Sequence, residues 1–272
     1  MRRTPGVPAV PHNTLVKKIA SDGARGYSVA FPFRSIVPRE VEMSKKVEAF
    51  VERLASVKLE SARLFNPWRD HDKDYDLSKD APRLRRENLV RFLSSRQGKA
   101  RIILIGEAAG YQGAKFSGIA MLSERILCGR RVPDFPRDGY HPRTSCPNGP
   151  NISDTVRQYG FNEPTATVVW EAVLENRLDP LSVVTWNIFP FHPRHDEQPH
   201  DALSNRTPTP EEIRTHERFC DELIGLFPGA VVLAVGEKAG RYLAMPRQKI
   251  LRHPANGGAE KFRKEFGKRG KW

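Results

Sequence analysis

Four short apolar runs, each ending on a small or polar residue, constrain the fold of this chain more than any other feature. They are Arg101-Ile102-Ile103-Leu104-Ile105 before Gly106, Ser182-Val183-Val184-Thr185-Trp186 before Asn187, Ala230 to Val235 before Gly236, and Lys249-Ile250-Leu251 before Arg252 and His253. Runs of this length, rich in β-branched residues, read as buried strands. Helical patterns separate them. Ser44 can cap a helix to about Val57 with Val47, Phe50, Val51 and Leu54 on one face. Further helices are expected over Arg86–Ser95, Ile119–Leu127, Thr165–Arg177 and Ala259–Phe266. Thr209, Pro210 and Glu212 supply an N-cap, an N1 proline and a capping-box glutamate for a helix through Phe227. This alternation predicts an α/β fold, a three-layer α/β/α sandwich around a mostly parallel four-stranded sheet. In open sheets of this kind ligands bind at the carboxyl ends of the strands, so Gly106, Asn187, Gly236 and His253 are expected on one rim.

A chain of 272 residues supports one substantial core. Residues 43–272 are expected to form a single domain, preceded by a Pro- and Arg-rich extended arm over 1–42. No apolar run is long enough to span a bilayer, so no membrane partner is expected. Cys128, Cys146 and Cys220 are odd in number and contain no C-x-x-C pair, which argues against a disulfide framework or a four-cysteine metal site. A reducing, cytoplasmic compartment and a monomer are the expectations. The net charge of +13 is uneven: from Pro246 to Trp272, nine Lys/Arg stand against two acids. A polyanion partner is the natural reading.

The segment Gly106-Glu107-Ala108-Ala109-Gly110-Tyr111-Gln112-Gly113-Ala114-Lys115-Phe116-Ser117-Gly118 follows the first run. Its glycines let backbone approach a ligand closely. It is neither G-x-G-x-x-G nor a P-loop, since no Gly-Lys-Ser/Thr closes it. His253-Pro254-Ala255-Asn256-Gly257-Gly258 precedes the basic end. His192, His195, Asp196 and His200 form a rival cluster that can bind zinc, but their loose spacing in a Pro-rich stretch favours a solvated loop.

These two segments, in this order and with Asn187 between them, resemble the signature loops of the uracil-DNA glycosylase superfamily over roughly residues 100–266. The resemblance is to an atypical branch: Ala109 replaces the usual proline, and Ala108 stands where some families carry an aspartate that positions water. The missing cysteines imply no iron–sulfur cluster, and no cofactor or metal is expected. The resemblance implies a DNA repair enzyme that hydrolyses the N-glycosidic bond of uracil in DNA and leaves an abasic site. It implies Glu107 and His253 as catalytic residues and Gly106, Ala108, Tyr111, Phe116 and Asn187 as the base pocket, with Phe116 stacking on the base. The Asn187 amide, both donor and acceptor, matches the O4 and N3–H of uracil. Gln112, Ser117, Arg252, Asn256, Gly257, Gly258, Lys261 and Arg263 are implied to contact DNA. The alternative is a protein of the same fold that binds uracil or abasic DNA without hydrolysis, a reading motivated by Ala108.

Overall fold

The computed structural model of the chain describes residues 39–148, 152–195 and 203–269. Helix α1 (Arg39–Ser56) starts before Ser44, so residues 39–42 are helical rather than part of an arm. Residues 1–38 lie outside the described residues. The α1 stripe of Val47, Phe50, Val51 and Leu54 is buried, as its helical spacing requires. It packs on α2 (Ala81–Ser94), which buries Leu89, Phe92 and Leu93.

The described strands are β1 (Leu64–Phe65), β2 (Ile102–Ala108), β3 (Val183–Phe189), β4 (His192–Pro193), β5 (Val231–Val235) and β6 (Ile250–Leu251). β3, β2, β5 and β6 form, in that order, a four-stranded sheet that is parallel throughout. β1 and β4 pair separately and antiparallel. The remaining helices are α3 (Ala114–Ser117), α4 (Glu124–Leu127), α5 (Asp154–Tyr159), α6 (Pro164–Glu175), α7 (Pro210–His216), α8 (Arg218–Gly225), α9 (Glu237–Tyr242) and α10 (Ala259–Arg269). They flank the sheet in the expected three-layer α/β arrangement. Ile102 to Ile105 of the central β2 are fully buried, as a strand covered on both faces must be.

Two strands run further than their apolar cores suggest. β2 continues through Gly106 and Glu107 to Ala108, and β3 through Asn187 to Phe189, because the ladder extends with Gly106 opposite Asn187 and Ala108 opposite Phe189. Gly106 and Asn187 therefore sit within paired strands, where the pleat fixes their directions.

The helix expected over Ile119–Leu127 is confined to Glu124–Leu127. Side chains from other elements capture the carbonyls ahead of it. Thr144 Oγ1 donates to Phe116 O (2.5 Å), Asn88 Nδ2 to Ser117 O (3.1 Å) and the Trp68 indole to Gly118 O (3.0 Å). Thr185 Oγ1 donates to Ala120 O (2.6 Å) and the Trp170 indole to Met121 O (2.9 Å). Tertiary donors thus replace the helical ladder, while Gly118 (φ +77°) and Met121 (φ +49°) take left-handed conformations that no helix accommodates. The predicted capping box at Thr209 and Glu212 forms, but the helix it opens breaks at Glu217 into α7 and α8.

A buried ion pair braces the start of this segment. The Arg85 guanidinium, on α2, holds Asp76 through two bonds (2.7 and 3.0 Å), with both side chains fully buried. Two more of its hydrogens reach the carbonyls of Pro67 (2.6 Å) and Asp70 (3.0 Å).

Candidate active site

His253 leaves the sheet just after β6. Its Nδ1 accepts the N–H of Ala255 at 3.1 Å. A ring nitrogen that accepts cannot carry the proton, so in the neutral ring the hydrogen is on Nε2. Burial holds the imidazole below its usual pKa, and the charges of Arg252 and Lys238 act in the same direction, against the opposing pull of Glu107. The ring is thus a neutral Nε2–H donor at neutral pH. Gly236, at φ +96°, makes room for it: a Cβ there would lie 3.3 Å from His253 Cβ and 3.4 Å from Cδ2. Gly236→Ala is expected to cost about 1–3 kcal/mol of stability from strain at this φ and to displace the ring. A chemical denaturation curve together with a histidine NMR shift would check both effects.

Glu107, near the end of β2, is paired with Lys238 of α9 at 3.0 Å. Lys238 also donates to Thr207 Oγ1 (2.6 Å). The turn after β5 therefore supplies a cation to the site, a contribution not foreseen from sequence although Gly236-Glu237-Lys238-Ala239-Gly240 parallels the first loop in composition.

The buried Asn187 side chain lies over Gly106, with Oδ1 2.8 Å from where a Cβ on that glycine would be and Met121 Cε 3.5 Å from the same point. A Cβ there would have to displace the Asn187 amide. With the amide oriented to satisfy both its ends, its oxygen accepts from Ala109 N–H (3.3 Å) and its nitrogen donates to Trp186 O (3.1 Å). Ala109 is held from the other side too: the buried His192 bonds its carbonyl through Nδ1 (2.8 Å). Burial, then the Lys115 charge, push the His192 pKa down to about 3. His192 is thus a neutral tether of the loop. No group of metal-binding residues occurs among the described residues, and Asp196 and His200 of the zinc reading lie outside them.

The structure places several of the implied residues in other contacts. Phe116 presents no open face to a base: it is fully buried, parallel to Phe161 at 5.0 Å, with Lys115 Nζ 4.7 Å from the ring centre. Ser117 is buried and bonded through Oγ to Ile119 O and N, so it does not face DNA. Arg263 turns to Glu171 (2.5 Å) and Glu175 (3.3 Å) on α6. Ala108 closes β2 as the partner of Phe189.

Tyr111 and Gln112 line a broad cavity of about 1610 Å³, together with Phe161 and residues of the 59–75 segment. Neither Asn187 nor His253 lines it. Tyr111 meets Phe161 edge-on at 5.7 Å, and its N–H donates to Asn205 Oδ1 (3.0 Å). The aromatic residues lining this cavity are Phe65, Tyr75, Tyr111 and Phe161. Phe161 was missed because it lies in a Pro-rich stretch with no periodic signal.

The second loop is built as its glycines suggest. Asn256 (φ +53°) and Gly257 (φ +71°) form an exposed left-handed turn. Gly258 is pressed on His253 O, 2.0 Å from a hypothetical Cβ, and donates to Ala255 O (3.1 Å). Arg252 is anchored by its N–H to Glu265 (2.6 Å). Lys261 is exposed on α10.

No family model matches the sequence, and no curated protein is found to be similar to it. Among solved structures, the chain is similar to the crystal structure of wild-type SMUG2 from Pedobacter heparinus. The TM-score is 0.54 at 14% identity, covering 84% of this chain and 95% of that one. The likeness at this identity is one of fold.

Proposed function

We propose that the chain is a DNA glycosylase that removes uracil by hydrolysis and leaves an abasic site. The observation that carries this reading is the His253 tautomer: a neutral Nε2–H donor fixed at the carboxyl edge of the sheet, beside a basic segment and on the same edge as Asn187. A departing pyrimidine develops negative charge on O2. A pre-positioned donor aimed there stabilises the transition state without itself ionising.

The other parts follow from the residues. The base leaves the duplex stack. Its N3–H and O4 exchange two bonds with the Asn187 amide, which gives up Ala109 N–H and Trp186 O. Water adds at the sugar carbon as the glycosidic bond breaks. Lys115, the amine of the loop, is fully buried and paired with Asp72 at 2.8 Å, so it is not placed to attack the sugar. Lys261 and the exposed turn at Asn256 and Gly257 meet phosphates.

The test is a labelled oligonucleotide holding one uracil, treated with alkali after incubation. Wild type is expected to give alkali-dependent cleavage at the uracil. Asn187→Ala is expected to lower discrimination for uracil by about 1–3 kcal/mol, the worth of a bidentate base contact. Rising salt should weaken the reaction steeply, because phosphate contacts release counterions. The second reading, a binder without hydrolysis, is favoured by one observation: Glu107 is committed to Lys238 and Ala108 has no carboxylate to hold water. Tight retention of the uracil oligonucleotide without cleavage would select it.

A further inference from the structure

One carboxyl group of the loop region has no assigned task. Glu163 immediately precedes α6 but makes no cap bond with its side chain. It reaches instead to the Gly110–Gly113 turn. Its Oε2 is enclosed and has no hydrogen-bond partner among the described residues, whose other enclosed carboxylate oxygens are bonded. Glu124, for example, accepts from Thr144 N, Ser145 N, Ser145 Oγ and Phe161 N.

The turn is shaped around this group. A Cβ on Gly113 would lie 2.1 Å from Glu163 Oε2, so only glycine admits the carboxyl. At Gly110 the corresponding point has Asn205 Oδ1 at 3.7 Å, Glu163 Oε1 at 3.8 Å and Asn205 Nδ2 at 4.0 Å. Three polar atoms thus face one bare Cα. Asn205 is exposed and its oxygen is engaged by Tyr111 N–H, which leaves its amide nitrogen to donate.

We infer that Glu163 is a specificity-determining residue of this site: its carboxyl, with the Asn205 amide, takes a carbonyl edge of an extruded deaminated base lodged against Gly110. Deamination replaces an exocyclic amine, a donor, by a carbonyl, an acceptor. A wall made of an acid O–H and an amide N–H₂ accepts the product and rejects the parent base. The acid must be neutral to donate. Burial alone pushes the Glu163 carboxyl up to about 7, with no charged group among the described residues acting on it. Its neighbours Gly110, Gly113 and Asn205 are uncharged. The inference rests on the glycosylase reading above.

The experiment measures base release from oligonucleotides holding uracil, hypoxanthine or xanthine, by wild type, Glu163→Gln and Glu163→Ala, between about pH 6 and pH 9. For wild type, kcat/KM should fall as pH rises through about 7. Glu163→Gln keeps a carbonyl and gains an N–H₂ that never titrates, so it should match wild type at low pH, lose this limb and exceed wild type at high pH. Glu163→Ala should lose about tenfold in kcat/KM at low pH, the worth of one good hydrogen bond, through KM. A limb that persists in Glu163→Gln, or equal losses at every pH in both variants, would overturn the assignment and leave a structural residue. Wild type that neither releases a base nor prefers the uracil oligonucleotide would overturn the glycosylase reading itself, and this inference with it.

Discussion

Replacing His253 by alanine is expected to lower kcat for base release by about two to three orders of magnitude, the usual effect of removing one donor from a site of developing negative charge. The loss should appear in single-turnover base release while the fold is retained, since the ring is part-exposed and, among the described residues, hydrogen-bonds only Ala255. The pH dependence has a defined sign. The donor is the neutral ring, and its pKa lies below the usual 6.5. This residue's contribution should therefore stay level as pH falls through 6.5. Below it, protonation keeps the Nε2–H but destroys the acceptor that Nδ1 offers Ala255, and the contribution declines as the ring loses that tether. The same depressed pKa means that the neutral ring's share of folding stability is present above the unfolded value and is lost as pH falls through the folded one. A His253→Gln variant, which keeps a donor near the same place, should recover part of the rate. Unchanged turnover in His253→Ala would remove this residue from the mechanism.

The largest effect on stability is expected at Asp76. Its carboxylate neutralises the Arg85 guanidinium, and neither side chain touches solvent. Asp76→Ala leaves that charge buried and unpaired, at a cost of about 3–5 kcal/mol. Urea unfolding should show a lower midpoint with an unchanged slope. Adding Arg85→Met should restore much of the loss, because an apolar side chain of similar length needs no counter-charge. A midpoint unmoved by Asp76→Ala would mean that the pair contributes nothing. The effect is expected to reach the site, since the Arg85 carbonyl lies 2.5 Å from where a Cβ on Gly118 would be. The last glycine of the first loop thus sits directly on the residue that Asp76 steadies.

The sheet was legible in the sequence because its strands are covered on both faces and so read as plain apolar runs. The capping box at Thr209 was legible because its chemistry is local. The 119–123 segment was not: its conformation is imposed by donors from Trp68, Thr185 and Trp170, remote in sequence and carrying no local mark. The site divides in the same way. Gly106, Asn187 and His253 follow apolar runs and were expected on one rim. Lys238 meets Glu107 and Thr207, and Glu163 lies against Gly113, all far along the chain, which no spacing shows. Phe116 was placed in the right loop, yet its ring is spoken for by Phe161. Ser117 and Arg263 are polar residues in polar-looking segments whose partners, Ile119 and the α6 acids, only the fold brings to them.

The strand order β3-β2-β5-β6 also sets a timetable. β2 and β3 can pair while the chain is still being made, bringing Asn187 over Gly106. β5 then adds to the free side of β2, and its own outer edge stays open until β6 docks on Ala234 and Val235. β6 is only two residues long, and His253 follows it at once. A nascent chain halted before Leu251 therefore has Asn187 in place over Gly106 but neither His253 nor the α10 residues beside it. It also carries an unpaired strand edge of the kind that invites association with other chains. His253 and the basic α10 join the sheet edge in one late step, with the closing of the sheet.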